Sequence, residues 1–205
     1  PKRGKISTSD GQVLAYDNEQ FVVILDPTLI DEENIGTVLD MLKRYIDPFE
    51  TDKYRADYAE KKRQSKQYLK IDGKISYQTR MAIEAEIDND RKEARKNKGK
   101  YKRRFRGVTF ETAFTRNYVQ NDAFQETLGY VNNENRGVYG IEKYYDKELS
   151  GERGVVKGLR IPEAFLRLVK LNNKENSRKV KDGNNIVLTI DSFIQYALDE
   201  ELRTT

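Results

Sequence analysis

Residues 31–46 carry the clearest helical pattern of the chain, because their apolar positions recur every three or four residues. The apolar stripe consists of Ile35, Val38, Leu39, Leu42 and Ile46. Acidic residues stand before the stripe and basic residues stand near its end, which complements the dipole of a helix. The Asp47-Pro48 pair ends the pattern, since the residue before a proline disfavours helical geometry.

Two further segments, residues 53–69 and 77–97, have the composition of helices but only narrow apolar stripes. Ile83 and Ile87 are the best core candidates in the second segment. Helices this polar project from a body or pack along one narrow side. We therefore expect residues 31–104 to form a helical head or flanking lobe, inserted between two sheet-rich parts of the chain.

Alternating apolar and polar positions predict β-structure on both sides of this lobe. In residues 11–25, the Asp17-Asn18 pair is typical of a hairpin turn. Further strands are predicted over residues 107–114, 126–131, 155–161, 165–171 and 186–190. The pattern predicts an α+β fold, in which residues 1–30 and 105–205 form a twisted, mainly antiparallel sheet.

Composition narrows the classes of function. The 205 residues include no Cys and no His. This excludes disulfides, thiol nucleophiles, triads with His and nearly all zinc chemistry, so we expect no cofactor and no metal site. Charged residues make up 35% of the chain and hydrophobic residues 37%, which suits an elongated, multi-lobed shape. No apolar run approaches the roughly 20 residues of a membrane span.

Four glycines bracket one short segment late in the chain. They are Gly137, Gly140, Gly151 and Gly154. Glycines so placed serve turns or a close approach of two backbones. Between them, Ile141, Tyr145 and Leu149 recur every four residues, the spacing of one helical face. The segment is therefore predicted to form a turn, a short helix and a second turn.

Three other blocks combine turn residues with charged or aromatic ones. The first contains Arg3-Gly4 and, a few residues later, Asp10-Gly11. The second begins at Arg116 and ends in Leu128-Gly129. The third places a strand before Asp191, which is predicted to cap the helix that follows. The apolar stripe of that helix consists of Ile194, Ala197, Leu198 and Leu202.

Taken in their order along the chain, the four blocks resemble motifs of the class B penicillin-binding proteins, the bacterial cell-wall transpeptidases. The motifs lie in the non-catalytic pedestal domain of that family. The resemblance implies an α+β pedestal, and structural or interdomain roles for twelve residues. These are Arg3, Gly4, Asp10, Gly11, Arg116, Gly129, Gly137, Gly140, Glu142, Tyr145, Gly151 and Asp191.

Two positions depart from the family pattern. Ser9 stands where the family has an Arg before the Asp-Gly pair, so an ion pair made by that Arg is lost or replaced. Val119 stands where the family has Pro, which predicts a looser turn. The phrase at residues 107–111 is more similar to the division-type members than to the elongation-type ones.

The resemblance also implies a role and partners. The domain would position a transpeptidase domain of the same parent chain on the extracytoplasmic face of the bacterial cytoplasmic membrane. It would dock division or elongation proteins, notably the membrane glycosyltransferase of the shape, elongation, division and sporulation family. A homodimer is a further candidate, and we expect no nucleic-acid partner.

The sequence itself argues against catalysis. Penicillin-binding enzymes need a Ser with Lys three residues later, a Ser-x-Asn and a Lys-Thr-Gly or Lys-Ser-Gly. None of these three patterns occurs in the chain. We therefore expect the segment not to be an enzyme, although the parent protein is expected to be a D,D-transpeptidase.

Glu142 is the candidate partner of a motif arginine. Arg3 or Arg116 could pair with it if the blocks converge in space, because a guanidinium binds a carboxylate with two parallel hydrogen bonds. The alternative is a solvated acid at the start of a helix, stabilised by the helix dipole.

Residues 91–106 hold ten Lys or Arg against one acid, a local charge of +9 in a chain of net charge +4. A solvated helix end and loop is the common explanation of such a run. The alternative is a module that binds nucleic acid or an anionic surface, with aromatic residues between the cations. Its candidate contacts are Lys102, Arg103, Arg104 and Arg106.

Overall fold

The computed structural model describes residues 1–97, 102–119, 122–152, 154–156, 177–178 and 180–203. The chain divides into two compact units. The first unit contains Pro1–Asn18 and Phe114–Thr205, and the second contains Glu19–Ala113. Each unit has its own cluster of buried apolar side chains. The predicted insertion of residues 31–104 into a sheet-rich core stays a prediction.

The described residues contain both strands and helices. The strands are β1 (Ile6–Ser7), β2 (Val13–Leu25), β3 (Leu69–Lys70), β4 (Val108–Tyr118), β5 (Val155–Val156), β6 (Ser177–Arg178) and β7 (Ile186–Val187). The helices of the second unit are α1 (Ile35–Lys43), α2 (Thr51–Arg63) and α3 (Tyr77–Lys96). Those of the first unit are α4 (Asp122–Leu128), α5 (Gly140–Tyr144), α6 (Asp146–Ser150) and α7 (Ser192–Arg203).

Pairing is mainly antiparallel. In the first unit, β1 pairs antiparallel with the start of β2 and parallel with β7, so that Ile6 lies opposite both Ala15 and Ile186. In the second unit, β3 pairs antiparallel with the end of β2, where Leu25 lies opposite Leu69. Strand β4 also pairs with β2. The predicted α+β class with a mainly antiparallel sheet is confirmed.

The core of the second unit forms around α1. The predicted stripe of this helix is buried, and Val38, Leu39 and Leu42 are fully inaccessible. They belong to one apolar cluster with side chains of β2, α2 and α3, among them Leu25 and Ile83. Each such side chain stabilises the fold by about 1.5–3 kcal/mol relative to an exposed one. Burial of one stripe explains why an otherwise polar segment is helical.

The core of the first unit lies beside the motif residues. Its buried apolar members are Ile6, Leu14, Ala15, Phe124, Leu128 and Leu149. Leu149 comes from α6, and Phe124 and Leu128 come from α4. The two short helices are therefore fastened by apolar side chains to the strands that carry the first motif.

Three predicted elements are wrong. The hairpin over residues 11–25 is one continuous strand, β2, without a turn at Asp17. The predicted strand over residues 126–131 begins inside helix α4, because Phe124 and Leu128, four residues apart, are both buried on one helical face. The helix predicted over residues 53–69 ends at Arg63, since buried Leu69 pairs with β2 instead.

Other boundaries differ by a few residues. Helix α1 begins at Ile35, and residues 31–34 form turns before it. The helix predicted between the glycines is split at Tyr145 into α5 and α6. The strand predicted over residues 186–190 is limited to Ile186–Val187. Of the strands predicted over 155–161 and 165–171, only residues 155–156 are described, as β5, and the rest lie outside the described residues.

We expect the substitution Ile83→Ala to lower the free energy of unfolding by about 2–5 kcal/mol, because the side chain is fully buried and its removal leaves a cavity. The matched control is Met81→Ala on the same helix, where the side chain is 46% exposed. Urea unfolding followed by circular dichroism measures both variants. Equal losses in the two variants would contradict the assignment of this helical face to the core.

Candidate functional site: a buried ion-pair cluster

Arg3 is buried, and four oxygen atoms surround its guanidinium. Its Nε donates to Glu142 Oε2 at 2.6 Å, and its Nη1 donates to Asp146 Oδ1 at 2.7 Å. Nη2 donates to the main-chain oxygen of Glu142 at 2.8 Å, and Nη1 also donates to the main-chain oxygen of Asn135 at 3.3 Å. One arginine therefore binds both the side chain and the backbone of helix α5.

Arg116 approaches the same carboxylate from strand β4. Its Nε donates to Glu142 Oε1 at 2.7 Å, so each oxygen of Glu142 accepts from a different arginine. Its Nη1 donates to the main-chain oxygen of Gly4 at 2.8 Å and to Asp17 Oδ1 at 3.3 Å. The structure thus brings Arg3 and Arg116 together on Glu142, where the sequence had indicated one or the other.

Asp17 is the member of the site that sequence reasoning missed. The prediction assigned it to a hairpin turn, but it lies within β2 with its side chain inaccessible. Its Oδ2 accepts from the main-chain N–H of Arg3 at 2.7 Å. The alternation of side chains along a β-strand could have indicated this role, because Ala15 and Asp17 are buried while Tyr16 and Asn18 are exposed.

We call Arg3, Asp17, Arg116 and Glu142 the Glu142 cluster. Two positive and two negative side chains are buried together, so their formal charges cancel, and Asp146 adds a carboxylate at the partly exposed edge. Mutual attraction in such a cluster roughly offsets the loss of hydration, whereas removal of one partner leaves an uncompensated buried charge. The Nη2 atom of Arg116 is buried without a hydrogen-bond partner among the described residues.

The phenol of Tyr118 lies near this charge and stays protonated. Its pKa is raised to about 12, first by burial and then by the negative charge of Glu142. Its oxygen accepts from the main-chain N–H of Val131 at 3.1 Å. Strand β4 thereby holds the segment that follows helix α4 through one hydroxyl group.

Two glycines allow backbones to approach around the cluster. A Cβ at Gly137 would lie 2.0 Å from the main-chain oxygen of Glu142, the same oxygen that binds Arg3. A Cβ at Gly129 would lie 2.0 Å from the main-chain oxygen of Tyr139, and the φ of Gly129 is +71°. Since real Cβ contacts never come this close, both positions require glycine.

The other residues of the glycine motif frame the same two helices. Gly140 begins α5, and Gly151 directly follows α6. Tyr145 lies between the helices and packs, partly buried, against the first unit's core. Asp146 accepts both from Arg3 and from the main-chain N–H of Gly137, at 2.7 and 2.8 Å. The motif therefore shapes the backbone that presents Glu142.

Asp10 and Asp191 hold the first turn of helix α7. Asp191 Oδ1 accepts from the main-chain N–H groups of Phe193 and Ile194 at 3.0 and 3.2 Å, as an N-cap does. Asp10, which lies beside Gly11 in the turn before β2, accepts from the main-chain N–H of Ser192 at 3.1 Å and from its hydroxyl. Two aspartates from opposite ends of the chain therefore bind the same turn.

In the cationic run of residues 91–106, two of the candidate contact residues pair with acids that were not singled out from the sequence. Asp90 is buried, and its carboxylate accepts from the main-chain N–H and the Nε of Arg104, at 3.0 and 3.2 Å. The ammonium of Lys102 lies 3.7 Å from Glu33. Arg106 is exposed, and the Nε of Arg103 is buried without a hydrogen-bond partner among the described residues. Contact of this segment with an anionic surface stays a prediction.

The contacts of the Glu142 cluster serve to hold separate elements of the first unit together. Both carboxylate oxygens of Glu142 already accept charged hydrogen bonds, so the group joins the start of the chain and strand β4 to helix α5. Within the described ranges, no group of three or more acidic, His or Cys side chains is placed to hold a metal ion. In the same ranges, no helix has the length and apolarity needed to cross a membrane.

Comparison with protein families gives one match over most of the chain. A family model described as the penicillin-binding protein dimerisation domain matches residues 1–188. The peptidoglycan D,D-transpeptidase MrdA of Acinetobacter baumannii is 27% identical to this chain, over 98% of this chain and 29% of that protein. Stage V sporulation protein D of Bacillus subtilis is 30% identical over 47% of this chain and 15% of that protein.

Solved structures show the same fold. Penicillin-binding protein 2X of Streptococcus thermophilus superposes with a TM-score of 0.62 at 21% identity, over 99% of this chain and 30% of that one. A complex between penicillin-binding protein 2 and MreC of Helicobacter pylori contains a chain with a TM-score of 0.58 at 20% identity, over 100% of this chain and 38% of that one. The chain therefore spans well under half the length of these proteins.

We expect Glu142→Gln to lower the free energy of unfolding by about 3–5 kcal/mol, because an isosteric neutral side chain leaves two buried arginines without their shared counter-charge. The control is Glu148→Gln, an exposed glutamate on the neighbouring helix α6. Chemical denaturation measures both. A small and equal loss in the two variants would show that the cluster is not a determinant of stability.

The lowered pKa of Asp10 predicts that the free energy of unfolding depends on pH. Hydrogen bonds from Ser192 and Thr8 lower its pKa from 3.8 to about 2. Because the folded state favours the ionised carboxylate, this contribution is present above pH 3.8 and is lost as the pH falls towards 2. Unfolding curves across this window should show the effect in the parent chain and in the control Asp40→Asn, but not in Asp10→Asn. An unchanged pH profile in Asp10→Asn would contradict the assignment.

Proposed function

Because this chain belongs to the penicillin-binding protein dimerisation domain family, we propose that it is the non-catalytic pedestal of a peptidoglycan transpeptidase. In this role it positions a penicillin-binding domain that lies outside these 205 residues and docks proteins of the cell-wall machinery. The Glu142 cluster is the observation that carries the proposal, because it joins three family motifs through hydrogen bonds rather than assembling reactive groups.

The first argument for this role is the rigidity of the cluster. A pedestal must hold one orientation, and the hydrogen bonds of a buried charged network are satisfied in only one geometry. Arg3, Arg116 and Glu142 come from distant parts of the chain and meet with side chains at most 1% exposed. Such a network resists small displacements, since each displacement lengthens several charged hydrogen bonds at once.

Helix α7 supports a continuation into a second domain. It begins at Ser192, beyond residue 188 where the family match ends. Several of its apolar side chains are exposed, with Phe193 at 78%, Ile194 at 60% and Leu202 at 77%. Its first turn is nevertheless bound by Asp10 and Asp191. We assign this helix to the junction with the penicillin-binding domain, whose side chains would cover the apolar stripe.

The relatives suggest the kind of partner. The Helicobacter pylori neighbour was solved in complex with MreC. By analogy, this chain would bind a protein of the cell-shape or division machinery, including the membrane glycosyltransferase named above, on the extracytoplasmic face of the membrane. Homodimerisation and the division-type assignment stay predictions. Titration of the purified chain against a second copy of itself tests homodimerisation, and titration against division and elongation proteins tests the division-type assignment.

The alternative function, a basic module for nucleic acid or an anionic surface, has weaker support. Two of its four candidate residues, Lys102 and Arg104, already lie beside acidic side chains of the second unit. Ion pairing of this kind lowers the charge available to a polyanion.

The proposed function is tested in the parent transpeptidase that carries this pedestal. We expect Glu142→Gln to leave labelling of the penicillin-binding domain by fluorescent penicillin intact, but to reduce stimulation of the partner glycosyltransferase, because only the pedestal geometry is disturbed. Glu148→Gln is again the control. The chain of 205 residues alone should not be labelled.

Deletion of the pedestal is the decisive version of this experiment. Equal activity of the glycosyltransferase with the complete parent and with a parent lacking residues 1–188 would overturn the proposed function. Penicillin labelling of the 205-residue chain would overturn its non-catalytic assignment.

A further inference from the structure

Helices α1 and α2 of the second unit enclose an open cleft of about 520 Å³. Side chains of Glu32, Ile35, Arg55, Tyr58, Ala59, Lys62 and Arg63 line it. Four of these, Arg55, Ala59, Lys62 and Arg63, follow one another at the spacing of a single face of α2. The cleft lies entirely within one unit and contains none of the Glu142 cluster.

Three basic side chains and one acidic side chain line this cleft. Arg55, Lys62 and Arg63 contribute three positive charges, and Glu32 contributes the single negative one. The acids of α2 itself, Asp52, Asp57 and Glu60, do not line the cleft. A ligand with two or more negative charges would therefore gain the most from this surface.

Lys62 is held in place without using all of its donors. Its ammonium donates to the main-chain oxygen of Ile30 at 2.5 Å and to the hydroxyl of Tyr58 at 2.9 Å. A lysine has three N–H donors, so, as far as the described residues show, one remains to reach an anion in the cleft. Tyr58 in turn donates to the same oxygen of Ile30 at 2.8 Å, which fixes the phenol beneath the cation.

The floor of the cleft is apolar. Ile35 and the ring of Tyr58 are buried, and Ala59 is an exposed small residue on the same face as the arginines. A small side chain at this position leaves room between Arg55 and Arg63, which stand one helical turn away on either side. An occupant with one apolar group between two anionic ones fits this pattern of a neutral floor and cationic edges.

We infer that this cleft is the docking site for a short acidic peptide segment of a protein partner, with an apolar side chain on the floor and carboxylates on the arginines. Arginine favours this chemistry because its planar fork binds a carboxylate with two parallel hydrogen bonds. The inference rests on the proposed docking role of the pedestal and names the chemistry of one partner surface.

A phospholipid surface is the other candidate anionic ligand of the cleft, and the shape of the site favours the peptide. A membrane presents its charges in a plane, whereas these cations follow one face of α2 beside apolar residues that line the same cleft. A phosphate alone would use the cations and leave the space over the apolar floor of the cleft unoccupied. A peptide segment uses both parts of the cleft.

Fluorescence polarisation tests the inference with the 205-residue chain and a labelled hexapeptide, Glu-Glu-Leu-Leu-Glu-Glu. We expect saturable binding that weakens with salt, and no binding of the reversed-charge peptide Lys-Lys-Leu-Leu-Lys-Lys. The double variant Arg55→Glu/Arg63→Glu should weaken binding by about tenfold or more, the equivalent of one to two charged hydrogen bonds.

The control variant is Lys92→Glu/Lys96→Glu, which makes the same change of charge on the exposed surface of α3. Circular dichroism checks that both double variants fold, which is expected because all four side chains are exposed. The inference requires that only the cleft variant loses peptide binding. Equal losses in both variants would assign the binding to net charge and overturn the site.

Two further results would also overturn it. One is the absence of saturable peptide binding up to about 1 mM, a weak-affinity limit for a short segment. The other is binding to vesicles of phosphatidylglycerol, but not to the peptide, that is lost in Arg55→Glu/Arg63→Glu. Neither result affects the pedestal role, which is tested independently by deletion of residues 1–188 from the parent enzyme.

Discussion

The carboxylate of Glu142 is the interaction on which the motif region depends. Each of its two oxygens accepts from a different buried arginine, and one of those arginines also binds the main-chain oxygen of the same residue. Buried charges of this kind tolerate no missing partner, because solvent cannot replace it. The start of the chain, strand β4 and helix α5 must therefore be in place together, or the cluster is not satisfied.

This requirement gives a physical reason for the glycine-rich motif. The arginines can reach Glu142 only if neighbouring backbones approach closely, and a side chain at Gly137 would collide with the very oxygen that Arg3 binds. Apolar contacts complete the arrangement, since Leu149 and Phe124 fasten α6 and α4 to the same core. A domain built this way has the properties of a support, which is the role that we propose for it in a peptidoglycan transpeptidase.

The two units use charge in different ways. In the first unit, the cluster pairs its charges out of contact with water, and this arrangement favours a defined geometry. In the second unit, the cations of the α1–α2 cleft are largely accessible, with Arg55 and Arg63 exposed around an apolar floor. Accessible charge of one sign favours recognition of a partner of the opposite sign. Rigidity and docking would thus be provided by different residues of one pedestal.

Local patterns in the sequence were enough to predict four features. These are the apolar stripe of α1, the cap of α7 at Asp191, the α+β class and the identity of the motif residues around Glu142. Only the tertiary structure decided that both arginines share Glu142 and that Asp17 joins them, because a strand and a hairpin turn are both compatible with Asp17-Asn18. It also decided that residues before Gly129 form a helix, since burial of Phe124 and Leu128 outweighs their local β propensity. Contacts between separate elements, such as that of Arg3 with Glu142, carry no local signal, so patterns along the chain indicate which residues matter but not how they meet.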